Sequence, residues 1–187
     1  MQTAALDGGF GDAPRDASHA FRALMNAMAR PGRIERLAGA RPPAPLSVAA
    51  GTLLLTLCDQ DTPLCLTGRV DCDDVRVWVA FHTGAPLAGP ADCAFAIGRW
   101  EDLAPLSAYP CGTPDYPDRS ATLVIETDAL APQGAVLSGP GIRTTAALAL
   151  PDKAAFQANH ARFPLGLDAF FTCGAQVAAL PRSTTVS

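Results

Sequence analysis

Lysine is almost absent from this sequence: thirteen arginines and a single lysine, Lys153, supply all the side-chain cations of 187 residues. Chemistry that runs through a lysine Schiff base therefore has one residue to use. Charged residues make up only 17% of the chain, with a formal charge of -4 and a pI near 5.2. That balance gives no electrostatic reason to expect nucleic acid as a partner. Cys-x-x-Cys pairs are missing as well. The six cysteines, Cys58, Cys65, Cys72, Cys93, Cys111 and Cys173, are scattered. The even spacing of the first three matches no zinc pattern, and turn residues at 59–63 and 67–68 break any one helix that would carry them. No metal site is expected, and the thiols read as small buried hydrophobes.

Long apolar runs are lacking too. The longest uncharged stretch, residues 42–58, is too short to cross a bilayer and is interrupted by Pro43, Pro45, Ser47 and Gly51, so no membrane contact is expected. Residues 1–12 have neither the basic nor the apolar region of a secretory signal, so the protein is expected in the cytoplasm. There is no Gly-x-Ser-x-Gly elbow. The one glycine-rich loop, Ser138-Gly139-Pro140-Gly141, contains a proline without an N–H and no Walker lysine follows it. Thr144 occupies the third glycine position of the dinucleotide fingerprint. It reads as a tight structural turn.

What the chain does have is apolar residues, 49% of the total, many of them alanine. A chain of this length can bury about 70% of its unfolded surface, and residues 1–187 read as one domain with apolar surface left over for an oligomer or a partner subunit. Asp12 and Pro14 open a helix over residues 15–30, with Ala17, Phe21, Leu24, Met25 and Met28 at core spacing and Arg15, His19, Arg22 and Asn26 opposite. Pro31-Gly32 ends it. Residues 33–37 suit a short strand. Ser47 caps a second helix over residues 48–58 that is apolar almost all round and hence buried.

Residues 64–66, 92–97 and 121–127 read as strands, the last with an apolar centre that implies burial on both faces. Residues 101–106 read as a short helix, 109–119 as a long functional loop, and 152–162 as a helix capped by Asp152. Residues 71–84 fit two patterns. Val75, Val77, Val79 and Phe81 alternate as in a strand, whereas Asp71, Asp73 and Asp74 at one end and His82 and Gly84 at the other suit a helix dipole. The turn at Phe163-Pro164-Leu165-Gly166-Leu167-Asp168 leads into a strand at 169–172, a break at Cys173-Gly174 and a second strand that ends at Leu180-Pro181-Arg182. The sum is an α/β fold with a mixed sheet closed by a hairpin. His82 is the best single imidazole candidate, with helix termination as its simpler role. Glu126 and Asp168 are candidates for buried carboxylates.

Several segments, in order, resemble one family. They are residues 21–32 (Phe-Arg-Ala-Leu-Met-Asn-Ala-Met-Ala-Arg-Pro-Gly), 53–63 (Leu-Leu-Leu-Thr-Leu-Cys-Asp-Gln-Asp-Thr-Pro) and 81–87 (Phe-His-Thr-Gly-Ala-Pro-Leu). The series continues with 120–124 (Ser-Ala-Thr-Leu-Val), 138–142 (Ser-Gly-Pro-Gly-Ile), 163–168 (Phe-Pro-Leu-Gly-Leu-Asp) and 180–185 (Leu-Pro-Arg-Ser-Thr-Thr). Together they resemble the PhnH family, the H subunit of the bacterial carbon-phosphorus lyase system.

The resemblance implies a role in phosphonate catabolism. With G, I and L subunits, the family makes alpha-D-ribose 1-methylphosphonate 5-triphosphate from ATP and methylphosphonate. It implies assembly with G, I and J subunits and a homodimer when isolated, while the residues themselves carry no self-contained active-site signature. The implied fold is a three-layer α/β/α arrangement like the large domain of PLP-dependent transferases, without a cofactor site, and it favours a helix at residues 71–84. His82, Asp168 and Arg182 become the candidate contacts to a phosphonate, a triphosphate or a partner, since arginine binds phosphate through two parallel hydrogen bonds. A stand-alone phosphonate- or nucleotide-binding regulatory domain is the alternative.

Overall fold

The computed structural model describes residues 6–187. Residues 1–5, part of the stretch searched for a secretory signal, lie outside them. The Asp12 carboxylate accepts the Arg15 N–H and opens α1 (Ala13–Ala29). Ala20, Leu24 and Ala27 form its buried stripe. Phe21 and Met25, expected in the core, are 48% and 52% exposed. The small residues Ala20 and Ala27 bring the helix backbone close to its neighbours and turn the larger side chains outward. Ser47 caps α2 (Val48–Leu57), which packs against α1 and the central sheet and is buried along most of its length.

Residues 71–84 settle as α3 (Asp73–His82). Val75, Trp78 and Val79 are buried while Val77 and Phe81 face out, a helical and not an alternating pattern. The short helix expected at 101–106 is α4 (Trp100–Leu103), and α5 (Lys153–His160) follows its Asp152 cap.

The central sheet has six strands: β1 (Glu35–Arg36), β2 (Leu64–Leu66), β3 (Phe95–Arg99), β4 (Thr122–Glu126), β7 (Asp168–Cys173) and β8 (Gln176–Leu180). Their order is β1-β8-β7-β4-β3-β2. Strands β2, β3, β4 and β7 are mutually parallel, and β8 is antiparallel to both β7 and β1. The β7–β8 hairpin turns at Gly174, whose φ of +56° suits a residue without a side chain.

Side chains alternate between two cores. Ile97, Val124, Phe170 and Val177 meet α1, α2 and α3 on one face, whereas Leu123, Ile125, Phe171 and Ala178 meet Leu103 of α4 and Phe156 of α5 on the other. A second sheet, not distinguished in the sequence, completes that second face. Its strands are β5 (Ala135–Ser138), β6 (Ala146–Leu148) and β9 (Thr185–Val186), in the order β6-β5-β9. The Ser138 to Gly141 loop leaves β5 as the tight turn expected, with φ of +81° at Gly141. Among the described residues no helix is long and apolar enough to cross a membrane.

Candidate functional site

Asp168 begins β7 and Arg182 lies two residues past β8. Since Ala169 pairs with Leu180, the hairpin register brings the two side chains together. Asp168 Oδ1 accepts from the Arg182 backbone N–H at 2.8 Å and from its Nε at 3.1 Å, and Oδ2 accepts from Nη2 at 2.6 Å. The remaining donors reach the loop at 109–119 and the residue that follows it: Nη1 donates to the Pro117 carbonyl at 2.7 Å, and Nη2 also donates to the Ser120 hydroxyl. Only 13% of the Arg182 side chain and 24% of that of Asp168 are exposed. The fork that suits phosphate is thus satisfied internally, and it fastens the long loop to the hairpin. His160 extends the cluster, its Nδ1–H donating to the Arg182 carbonyl at 2.9 Å.

His82 stands apart from this pair, at the last residue of α3. It does not serve its own helix's carbonyl groups. Its Nε2–H donates at 3.2 Å to the carbonyl of Asp7, which also accepts from Trp78 Nε1 at 3.2 Å. The imidazole packs against Trp78 and edge-on to Phe81, with ring centroids 5.1 Å and 4.9 Å away. It borders a cavity of about 450 Å³ formed with Leu6, Gly9, Phe10 and Leu55.

Glu126 and Asp168 do not make a carboxylate pair. In the β4–β7 register Thr122 faces Asp168 and Glu126 faces Thr172, so the two acids sit at opposite ends of the strands, about 13 Å apart at ~3.3 Å per residue. Glu126 accepts the Ser47 N–H at 2.7 Å and the Thr172 hydroxyl at 2.9 Å, joining the start of α2 to the sheet. Burial raises its pKa, and the Ser47 N–H and Thr172 hydroxyl oppose that shift.

Beside it, Arg99 holds Asp128 through Nη1 at 3.0 Å and Nη2 at 2.6 Å, and Glu101 through Nε at 3.1 Å. The bonds to Arg99 hold the Asp128 carboxyl below its usual range and push the guanidinium pKa up. These groups line a crevice of about 260 Å³ with Trp100, Leu150 and Pro151, at the carboxyl ends of parallel strands where α/β proteins commonly bind ligands. Its three carboxylates outnumber its one arginine, a poor match for phosphate. The sequence offered one sign of this crevice, an arginine two residues after the apolar run of a strand.

The thiols Cys58 and Cys93 are buried, and burial pushes both up to about 12. At neutral pH they are protonated, and a protonated thiol is a poor nucleophile. No group of three or more metal-ligating side chains occurs among the described residues. Pyridoxal phosphate needs a lysine inside a cavity that also holds its ring and phosphate. Lys153 is exposed in the first turn of α5 and belongs to neither of the linings its neighbours Pro151, Asp152 and Ala155 share. The residues present do not fit that cofactor.

The model of the family described as bacterial phosphonate metabolism protein (PhnH) matches residues 8–187. A protein of Rhizobium meliloti (strain 1021) named alpha-D-ribose 1-methylphosphonate 5-triphosphate synthase subunit PhnH is 41% identical over 192 residues, covering 98% of this chain and 96% of its own length. A protein of Stutzerimonas stutzeri provisionally named C-P lyase subunit protein HtxG is 31% identical over 182 residues, covering 94% of this chain and 87% of its own. With the match running through both cores, the Asp168–Arg182 clamp and the turn before β7, the chain belongs to the PhnH family of bacterial phosphonate metabolism proteins.

Proposed function

We propose that this chain is the H subunit of a carbon-phosphorus lyase core complex. In this reading it is required with G, I and L subunits for making alpha-D-ribose 1-methylphosphonate 5-triphosphate from ATP and methylphosphonate, and it supplies surface rather than a self-contained active site. The observation that carries the reading is the family match over residues 8–187 together with the 41% identical relative named as a subunit of that synthase. The internal use of the Arg182 fork supports the non-catalytic part. Asp168 and Arg182 then act by shaping the loop at 109–119, and His82 is the candidate contact that borders a cavity.

The same reading takes residues 1–187 as one domain on a scaffold like the large domain of PLP-dependent transferases. The protein works in the cytoplasm without a bound cofactor, as a homodimer when alone and with G, I and J subunits when assembled. Co-expression of the tagged chain with those three subunits tests it, and one co-eluting complex is expected. Recovery of the chain alone, while the other subunits assemble with one another, overturns the proposal. Micromolar binding of ATP or methylphosphonate to the isolated chain would favour a stand-alone binding domain instead.

A further inference from the structure

The charge of this acidic chain is unevenly placed. Residues 13–41 carry six of the thirteen arginines and only two acids, Asp16 and Glu35, whereas residues 59–128 carry twelve acids and four arginines. The arginine-rich stretch is α1 with β1, at one edge of the central sheet, where α1 packs on β8, β1 and α2. Arg15, Arg22, Arg30 and Arg36 are exposed, and no carboxylate among the described residues lies within ion-pairing distance of them. Helical spacing sets Arg15, His19 and Arg22 along one side of the outer surface of α1, toward β1, and Arg30 lies just past the end of the helix. A groove of about 330 Å³ separates His19 from Arg36 there, with Asp16 as the one acid in its lining. Along the other side of that surface run Phe21 and Met25, one turn apart and each about half exposed.

An apolar stripe rimmed by unpaired arginines on an otherwise acidic protein selects its occupant by charge. We propose that the outer face of α1, with Arg36 of β1, is the surface on which this chain docks to the carbon-phosphorus lyase complex, against a partner subunit that presents an acidic rim around an apolar patch. This rests on the subunit reading above. A second copy of the chain would set the same arginines against each other if the faces met symmetrically. A polyanion would use the arginines and leave Phe21 and Met25 bare. The acidic protein surface accounts for both stripes.

The test uses the full-length chain and a purified complex of G, I and J subunits, with binding followed by size exclusion and biolayer interferometry. Three variants are compared with wild type: the charge reversal Arg15→Glu/Arg22→Glu/Arg36→Glu, the truncation Phe21→Ala/Met25→Ala, and the control Val77→Ser/Leu87→Ser at other exposed apolar positions. All the substituted side chains are solvent-facing, and thermal melts confirm folding. The charge reversal is expected to weaken binding by roughly tenfold or more and to flatten its salt dependence between low and high ionic strength. The truncation is expected to weaken it comparably with the salt dependence retained, and the control to bind as wild type does.

Wild-type binding that survives both α1 variants, or that only the control loses, overturns the proposal and leaves the subunit reading intact. A wild-type chain that fails to bind the complex overturns both. Two further results overturn the choice of occupant: self-association abolished by the same variants while binding to the complex is retained, or tight RNA binding at physiological salt that the charge reversal abolishes.

Discussion

Arg182→Ala removes one guanidinium and with it four hydrogen bonds, two to Asp168, one to Pro117 and one to Ser120. The Asp168 carboxylate keeps the backbone N–H of residue 182 and loses its counter-ion. Breaking a buried ion pair from one side costs about 3–5 kcal/mol. The 24% exposure of Asp168 lets water replace part of what is lost, which brings the expectation to about 3 kcal/mol. For a chain of this size that corresponds to a fall in Tm of roughly 6–12 °C.

Urea denaturation of wild type, Arg182→Ala, Asp168→Ala and the double variant isolates the pair, and a coupling above about 1 kcal/mol is expected. The same loss should free the loop at 109–119, read as faster amide exchange at Arg119 and Ala121, whose N–H groups bond Tyr116 and Pro110. An Arg182→Ala loss below about 1 kcal/mol with no change in exchange would refute the assignment of this fork to holding the loop. A stable variant that assembled normally and failed only in turnover would mean that the arginine meets substrate.

Glu126, whose folded pKa is raised, contributes stability that is full below its unfolded pKa and declines as pH rises through the folded value. Glu126→Gln removes that titration, so the stability of wild type minus that of the variant should fall as pH rises above about 4.5; a difference that is flat or rises with pH contradicts the burial argument. Gly141→Ala should destabilise by more than about 1 kcal/mol, because φ is +81° and an added Cβ would overlap the carbonyl oxygen of Ala29; an unchanged urea midpoint would contradict it. Iodoacetamide should spare Cys58 and Cys93 in the native protein and label both in urea, as mass spectrometry can read; rapid native labelling of either would show that its burial is broken by local opening.

The elements that were legible in the sequence are those whose signals are local. Asp12, Ser47 and Asp152 mark the starts of α1, α2 and α5, and Gly174 marks the turn of the last hairpin. The outward face of α1 was not legible, because Phe21 and Met25 recur at the same spacing as core residues and only the packing of Ala20 and Ala27 decides which stripe goes in. Residues 71–84 supported two periods until burial of Trp78 chose the helix. Asp168 and Arg182 could be named as chemistry-bearing residues, yet their pairing depends on the register of a hairpin. Glu126 reaches Ser47 across 79 positions and Thr172 across 46, separations at which no periodicity carries information.

The central sheet has an order of assembly written into it. β1 at 35–36 has no neighbour until β8 at 176–180 slots between it and β7, and β5 lacks one flanking strand until Thr185 and Val186 arrive. Synthesis runs from the amino end, so α1 and β1 emerge from the ribosome long before the strand that anchors them exists. Through most of translation the apolar sides of α1 and α2 must wait uncovered, as substrates for chaperones and for aggregation. Nearly the whole polypeptide has to be present before either sheet can close, and nicking the chain between β7 and β9 should therefore unravel its beginning as surely as its end.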